Sequence, residues 1–187
     1  MSVALISGSP SARSRSAVLL AEAGRLFGRA GIDTHGVWVR DLPAEDLLHA
    51  RLESPALASV HQVIDRSWAV VIATPVYKAA AAGILKALLD VLPQNALAGK
   101  VILPIGVGGS PAHMLAVDYS LKPVLAALGA TTILSTLYAV DKQVRFTDGG
   151  DAEIDADVSL RLEDAIRKLI HTFTRRKHDH RIEAIPA

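Results

Sequence analysis

The run Val3-Ala4-Leu5-Ile6-Ser7-Gly8-Ser9-Pro10-Ser11-Ala12-Arg13-Ser14-Arg15-Ser16, followed by an amphipathic stretch carrying Val18, Leu19, Leu20, Leu26 and Phe27, decides the fold. A short apolar run ending at Gly8 and Pro10 reads as a strand, and the apolar spacing beyond Ser16 reads as a helix. Between them lies a hydroxyl-rich loop. A helix N-terminus leaves backbone N–H groups without intrahelical partners, so these groups, the loop amides and the serine hydroxyls converge on one concavity suited to a phosphate dianion. Arg15 adds a fork-shaped cationic donor at the helix entrance. The same serines could instead only cap the helix, with Ser14 or Ser16 as the N-cap.

Missing residues narrow the phosphate ligand. A nucleoside triphosphate loop needs G-x-x-x-x-G-K-[ST], and no lysine precedes Lys78. The dinucleotide fingerprint needs three glycines in this first turn, where only Gly8 stands. The serine-rich loop instead resembles the phosphate loop of flavodoxin-like proteins, which hold a flavin mononucleotide.

Further along, Gly31 closes the first helix and Ile32 to Val39 supply a second strand. Two helix starts are marked by Pro43 and Pro55, the second helix running to Arg66. Trp68 to Ala73 reads as a parallel strand covered on both faces, ending at Thr74-Pro75. Ala80 to Leu92 reads as a helix, Val101 to Val107 as a fourth strand, Met114 to Leu128 as a helix, Thr131 to Val140 as a fifth strand and Leu160 to Phe173 as a closing helix. Such alternation predicts an α/β fold with a parallel sheet wound on both faces by helices, and the likeness to flavodoxin-like proteins implies five strands in the order 2-1-3-4-5. Ligands then sit beyond the carboxyl ends of the strands, where the loops Ser7 to Ser16, Thr74 to Lys78 and Gly108 to His113 would converge.

At 187 residues the chain fits one domain, expected over 1–174, with the basic segment 175–187 a frayed tail. The formal net charge of +1 lacks the basic balance of a nucleic-acid binder. Without cysteine there are no disulfides, thiolate metal sites or cysteine nucleophiles. No run approaches the ~20 apolar residues of a membrane span and the first is too short for a signal peptide, so a soluble, cytoplasmic protein is expected. Asp148, Asp151, Glu153, Asp155 and Asp157 imitate a calcium loop but misplace its glycine and final glutamate, so no metal is expected and a solvated loop is read there.

Two segments carry candidate ring contacts. In Thr74-Pro75-Val76-Tyr77-Lys78 the proline fixes the backbone and Tyr77 offers a flat face; Gly108-Gly109-Ser110 lets backbone approach a planar ligand. Each could be an ordinary turn taken alone. Together with Ser14-Arg15-Ser16, Ala50-Arg51, Ser54-Pro55-Ala56-Leu57, Ala73 to Ala80, His113, Leu115 to Tyr119 and Leu121 to Leu125, the chain resembles the NAD(P)H-dependent FMN reductases of the flavodoxin-like superfamily, and among them the reductase components of alkanesulfonate monooxygenase systems. The likeness spans about Val3 to Val140.

The resemblance implies FMN phosphate contacts at Ser9, Ser14, Arg15 and Ser16, and isoalloxazine contacts at Pro75, Val76, Tyr77, Lys78, Gly108, Gly109 and Ser110. It implies reduction of free FMN to FMNH2 by NADPH or NADH, supply of the product to a flavin-dependent monooxygenase in sulfur assimilation, and a homodimer or homotetramer, for which the apolar helix Ile84 to Leu92 is a plausible contact. Tyr119 resembles a one-residue insertion forming a π-bulge at the subunit interface, with a role in flavin transfer, although Pro123 alone would loosen the same turn. No obligatory catalytic side chain is expected; His113 and Asp118 read better as structural. The alternatives are a quinone or azo reductase that keeps its FMN, and a flavodoxin-type electron carrier. Nothing in the sequence separates NADPH from NADH.

Overall fold

The computed structural model describes residues 2–183, with side chains described for residues 2–175. It opens with β1 (Ser2–Ser7), α1 (Arg15–Arg29) and β2 (Asp33–Trp38); α2 (Ala44–Leu48) and α3 (Pro55–Asp65) lead to β3 (Ser67–Tyr77), which turns back as β4 (Ala80–Ala81). There follow α4 (Gly83–Asp90), β5 (Val101–Gly108), α5 (Ala116–Ser120), α6 (Lys122–Ala127), β6 (Thr132–Ile133), β7 (Leu137–Val140), β8 (Val144–Phe146), β9 (Ala152–Ile154) and α7 (Ala156–Glu183).

The sheet runs β2-β1-β3-β5-β6, with β7 also beside β5, and its neighbours are parallel apart from the short β3–β4 pair. With β6 and β7 taken as two pieces of one edge strand, this is the expected 2-1-3-4-5 arrangement of a flavodoxin-like α/β fold. Side-chain alternation along the central strands builds two cores. Ala4, Ile6, Val70, Ile72 and Ile102 face α3, α4, α5 and α6, whereas Val3, Leu5, Ala69, Val71, Leu103 and Ile105 face α1 and α7. Because both faces are covered, the strands are apolar runs rather than alternating ones. Gly31, at φ +69°, follows the end of α1 in the left-handed conformation that a side chain would strain.

Several expected boundaries move. β3 does not stop at Thr74-Pro75 but continues to Tyr77, and Ala80 belongs to β4, not to a helix. Lys78 and Ala79, both at positive φ (50° and 59°), form the two-residue turn between β3 and β4. The expected helix from Met114 to Leu128 is broken at Leu121 into α5 and α6, with Pro123 in the first turn of α6. Proline has no N–H for the carbonyl of Tyr119, and no π-turn forms among the described residues here. The edge strand is interrupted at Leu134-Ser135-Thr136, where Thr136 bonds Asp118. The acidic stretch is no plain loop: β8 and β9 form an antiparallel hairpin that sets Arg145 opposite Glu153. The closing helix begins at Ala156 and its backbone continues to Glu183, beyond the expected end at Phe173. Of the expected basic tail, the side chains from 176 and the whole of 184–187 lie outside the described residues.

The face of α4 expected at a subunit contact is spent within the chain: Leu85, Leu88 and Leu89 are buried in its own core. Among the described residues, the exposed large apolar side chains are instead Tyr77, Met114, Leu115 and Tyr119, together with Leu48, Leu52, Trp38 and Leu160. No described helix is long and apolar enough to cross a membrane.

Candidate active site

The first loop is held tightly against the sheet. Gly8 donates from its N–H to the Ala73 carbonyl at 2.8 Å, and a Cβ added at Gly8 would stand 2.7 Å from the Leu85 Cβ, so only glycine lets α4 pack this close. Ser9 is buried (1% exposed), its Oγ accepting from the Ser11 N–H at 3.2 Å. Ser14 caps α1 by accepting from the Ala17 N–H, and its Oγ lies 2.9 Å from the Ser16 Oγ. The capping reading of Ser14 therefore holds. It leaves three buried serine hydroxyls, Ser9, Ser14 and Ser16, around one helix entrance.

Arg15 points across this entrance and is anchored at its near end. Its Nε donates to the Val144 carbonyl at 2.9 Å and its Nη1 lies 4.0 Å from the Asp141 carboxylate, which fixes the guanidinium while leaving its outer edge toward the cleft. The hairpin after β3 is fixed as firmly. Thr74, fully buried, accepts from the Ala82 N–H through its Oγ1 and donates to the Pro75 carbonyl, both at 3.0 Å. Ser120 of α5 accepts from the Ala81 N–H at 3.0 Å and donates to the Ala116 carbonyl at 2.6 Å. These bonds hold a turn that two non-glycine residues at positive φ would otherwise disfavour.

At the third strand end, the Tyr138 hydroxyl donates to the Ser110 carbonyl at 2.7 Å, and a Cβ on Gly108 would collide with that hydroxyl and come within 3.2 Å of the Val76 Cβ. Burial, then the charge of Asp141, pushes the Tyr138 phenol above its usual range, so it remains a donor. A Cβ on Gly109 would meet nothing nearer than Asp141 Oδ2 at 3.9 Å, so the backbone there is open to a flat ligand.

The three strand ends enclose a cleft of about 160 Å³ at the carboxyl edge of the sheet. It is lined by Ser9, Ser14, Arg15 and Ser16 from the first, Pro75, Val76 and Tyr77 from the second, and Gly108 and Gly109 from the third. A family model described as NADPH-dependent FMN reductase matches residues 1–145. The chain belongs to that family. Within it, the chain is 47% identical over 173 residues to an FMN reductase (NADPH) of Pseudomonas putida, covering 92% of this chain and 86% of the relative. It is 46% identical over 144 residues to an FMN reductase (NADPH) of Escherichia coli, covering 77% and 75%. A solved structure described as the apo form of an NADH:FMN oxidoreductase superposes with a TM-score of 0.80 at 38% identity, covering 90% of this chain and 87% of that one. This FMN reductase family member is thus an oxidoreductase on a flavodoxin-like scaffold, of a family that uses FMN with NADPH or NADH.

Two expected contact residues do not line the cleft of this reductase. Lys78 sits in the strained turn beyond Tyr77 and is exposed. Ser110 spends its hydroxyl on accepting from the Ala112 N–H at 3.2 Å. The cleft also takes in Ser11, Arg13, Val107 and Asp141, which the sequence reading did not assign to it. Asp141 follows the fifth strand directly, so its place at the carboxyl edge was the available signal.

Neither group considered for acid–base work enters the cleft. His113 is exposed in the turn after β5. Asp118 lies 2.8 Å from the Lys122 ammonium and also accepts from Thr136. Burial alone would raise the Asp118 carboxyl, but the hydrogen bonds from Lys122 and Thr136 and the Lys122 charge outweigh it and hold it below its usual range. Among the described residues no cluster of three or more metal-ligating side chains occurs.

Proposed function

We propose that this chain reduces free FMN with a nicotinamide nucleotide in the cytoplasm and passes FMNH2 to a separate flavin-dependent monooxygenase, in sulfur assimilation from sulfonates. The observation that carries the reading is the meeting of three strand ends in one cleft with a hydroxyl-and-guanidinium end and an open backbone end. FMN has the matching polarity, a phosphate dianion at one end and a flat ring at the other. The donor set fits it: three buried hydroxyls and a fixed arginine suit the phosphate, and glycine backbone with space above Gly109 suits the ring.

In this reading Ser9, Ser14, Arg15 and Ser16 hold the phosphate, and the backbone of Pro75, Val76, Gly108 and Gly109 with the Tyr77 ring orients the isoalloxazine. Bound there, FMN supplies the acceptor for the nicotinamide hydride. The chain itself positions two planes and, through N–H groups of the Gly108 to Ser110 turn, stabilises the negative charge that develops on the ring edge. No lining side chain has to carry a proton in this reading, and Asp141 faces Arg15.

A homodimer or homotetramer belongs to the same reading, with Met114, Leu115 and Tyr119 as the exposed apolar surface for it and Tyr119 beside the hairpin that carries Tyr77. Steady-state kinetics test the proposal. NAD(P)H oxidation should rise and saturate with added FMN; a rate independent of added FMN in protein that retains flavin would establish the quinone-reductase type instead, and no oxidation at all an electron carrier.

A further inference from the structure

Beside the flavin cleft, and sharing Arg13, Arg15 and Asp141 with it, lies a second, wider depression of about 570 Å³ completed by Lys142, Arg145 and Phe146. It is formed where the segment after β7 and the first strand of the β8–β9 hairpin meet the loop before α1. Four cations surround it against one lining carboxylate, Asp141, which already lies 4.0 Å from Arg15. Arg145 has Glu153 at 3.8 Å and Asp155 at 4.0 Å, but all three side chains are exposed and such contacts hold a guanidinium weakly. The Arg13 guanidinium lies 4.5 Å from the centre of the Phe146 ring, and the Arg15 guanidinium 5.7 Å from it.

This chemistry differs from that of the flavin cleft. Buried hydroxyls and a helix N-terminus suit an enclosed phosphate, whereas the second depression offers exposed guanidinium and ammonium groups around an aromatic ring. Arginine stacked on Phe146 presents its other plane to a second flat group, and the flanking cations suit a terminal phosphate monoester rather than a neutral diol. Resting on the reading of the cleft as the flavin site, we infer that this depression receives the adenosine half of the nicotinamide nucleotide, the purine on Arg13 and the 2′-phosphate between Lys142 and Arg145, and so makes the enzyme prefer NADPH to NADH. A ligand carrying only the 2′,3′-diol would bring no negative charge to Lys142 and Arg145, and the volume is within the range of small-molecule sites.

The test uses the full-length protein and two probes that differ in one group, adenosine 2′,5′-bisphosphate and adenosine 5′-monophosphate, with binding followed by calorimetry. The bisphosphate should bind at least tenfold more tightly, with an affinity that falls as salt is raised. The variants Lys142→Ala and Arg145→Ala, both at exposed positions, should each shrink that ratio severalfold and lower kcat/KM for NADPH relative to NADH by a similar factor. Equal binding of the two probes by the unaltered protein overturns the inference, whatever becomes of the variants. So does an unchanged probe ratio in both variants, or a loss that falls equally on NADPH and NADH, which would assign the cations to the shared diphosphate. Because probe binding needs neither flavin nor turnover, its failure leaves the flavin reading intact, and failure of FMN reduction leaves the probe result interpretable.

Discussion

Removing the Arg15 guanidinium tests the proposed phosphate end of the cleft. In the folded chain its Nε is committed to the Val144 carbonyl at 2.9 Å, so the head group is already placed before any ligand arrives and little side-chain freedom remains to be lost on binding. A hydrogen bond to a charged partner contributes about 1.5–3 kcal/mol, and ~1.4 kcal/mol is a factor of ten in affinity, so Arg15→Ala should weaken FMN binding roughly 10- to 150-fold. Riboflavin, identical but for the phosphate, should lose less than about twofold, because nothing it carries would touch the guanidinium. Quenching of flavin fluorescence on titration with protein measures both. The same substitution removes the tie to the β8–β9 hairpin; discounting for the half-exposed side chain, ~1 kcal/mol is lost, or about 2–4 °C in Tm for a domain of this size. The reasoning fails if riboflavin and FMN weaken by the same factor, for the loss would then reflect a disturbed loop, or if FMN affinity does not change.

Two further substitutions probe the scaffold around the cleft. Gly108→Ala places a methyl against the Tyr138 hydroxyl and should destabilise by about 1–3 kcal/mol; adding Tyr138→Phe, which deletes the colliding oxygen, should recover part of that in chemical denaturation, and strict additivity of the two changes would refute the collision. Asp118 titrates below 3.8 in the folded chain, so its contribution is fully present above that value and is lost as the pH falls through the lower folded value. Thermal melts should therefore show Asp118→Asn less stable than the parent at neutral pH, the difference closing in acid below 3.8, while FMN reductase activity at neutral pH persists; a difference that stays constant into acid would contradict the ion pair with Lys122.

How far the sequence reveals the site depends on how local each signal is. The first loop was legible because strand, serine-rich turn and capped helix are all written within Val3 to Phe27. The close packing of Gly8 against Leu85 was not, since the two are far apart in the chain and meet only through the parallel sheet. The turn at Lys78-Ala79 was illegible for another reason: two-residue turns with positive φ are usually signalled by asparagine and glycine, and this one relies on Thr74 and Ser120 for its bonds instead. The break at Leu121 was masked because Val117, Leu121, Leu125 and Leu128 stay on one buried face on both sides of it, leaving Pro123 as the only sign. Asp141 and Phe146 lie past the point where the family resemblance was legible, yet they stand at the carboxyl edge where the topology places ligands.

The break at Leu121 and the strained turn are one mechanical unit. Pro123 removes the donor for the Tyr119 carbonyl, so α5 ends a turn early and is joined to α6 by a residue at φ −102°, ψ −44°. Ser120, the last residue of that short helix, is the one that accepts from the Ala81 N–H, and Ala81 pairs with Val76 in the wall of the cleft. Non-glycine residues at positive φ are each disfavoured by about 1–3 kcal/mol, so Lys78 and Ala79 persist only while bonds such as those of Thr74 and Ser120 over-determine them. Ser120 of α5 and Thr74 of β3 are thus two separate ties on the hairpin that carries Val76 and Tyr77. Tyr119, 78% exposed beside Ser120, is where a force from outside the chain would act on that helix. Through Ser120, α5 thus bears on the Val76 and Tyr77 wall of the cleft, whereas Arg15 of α1 is tied to β8.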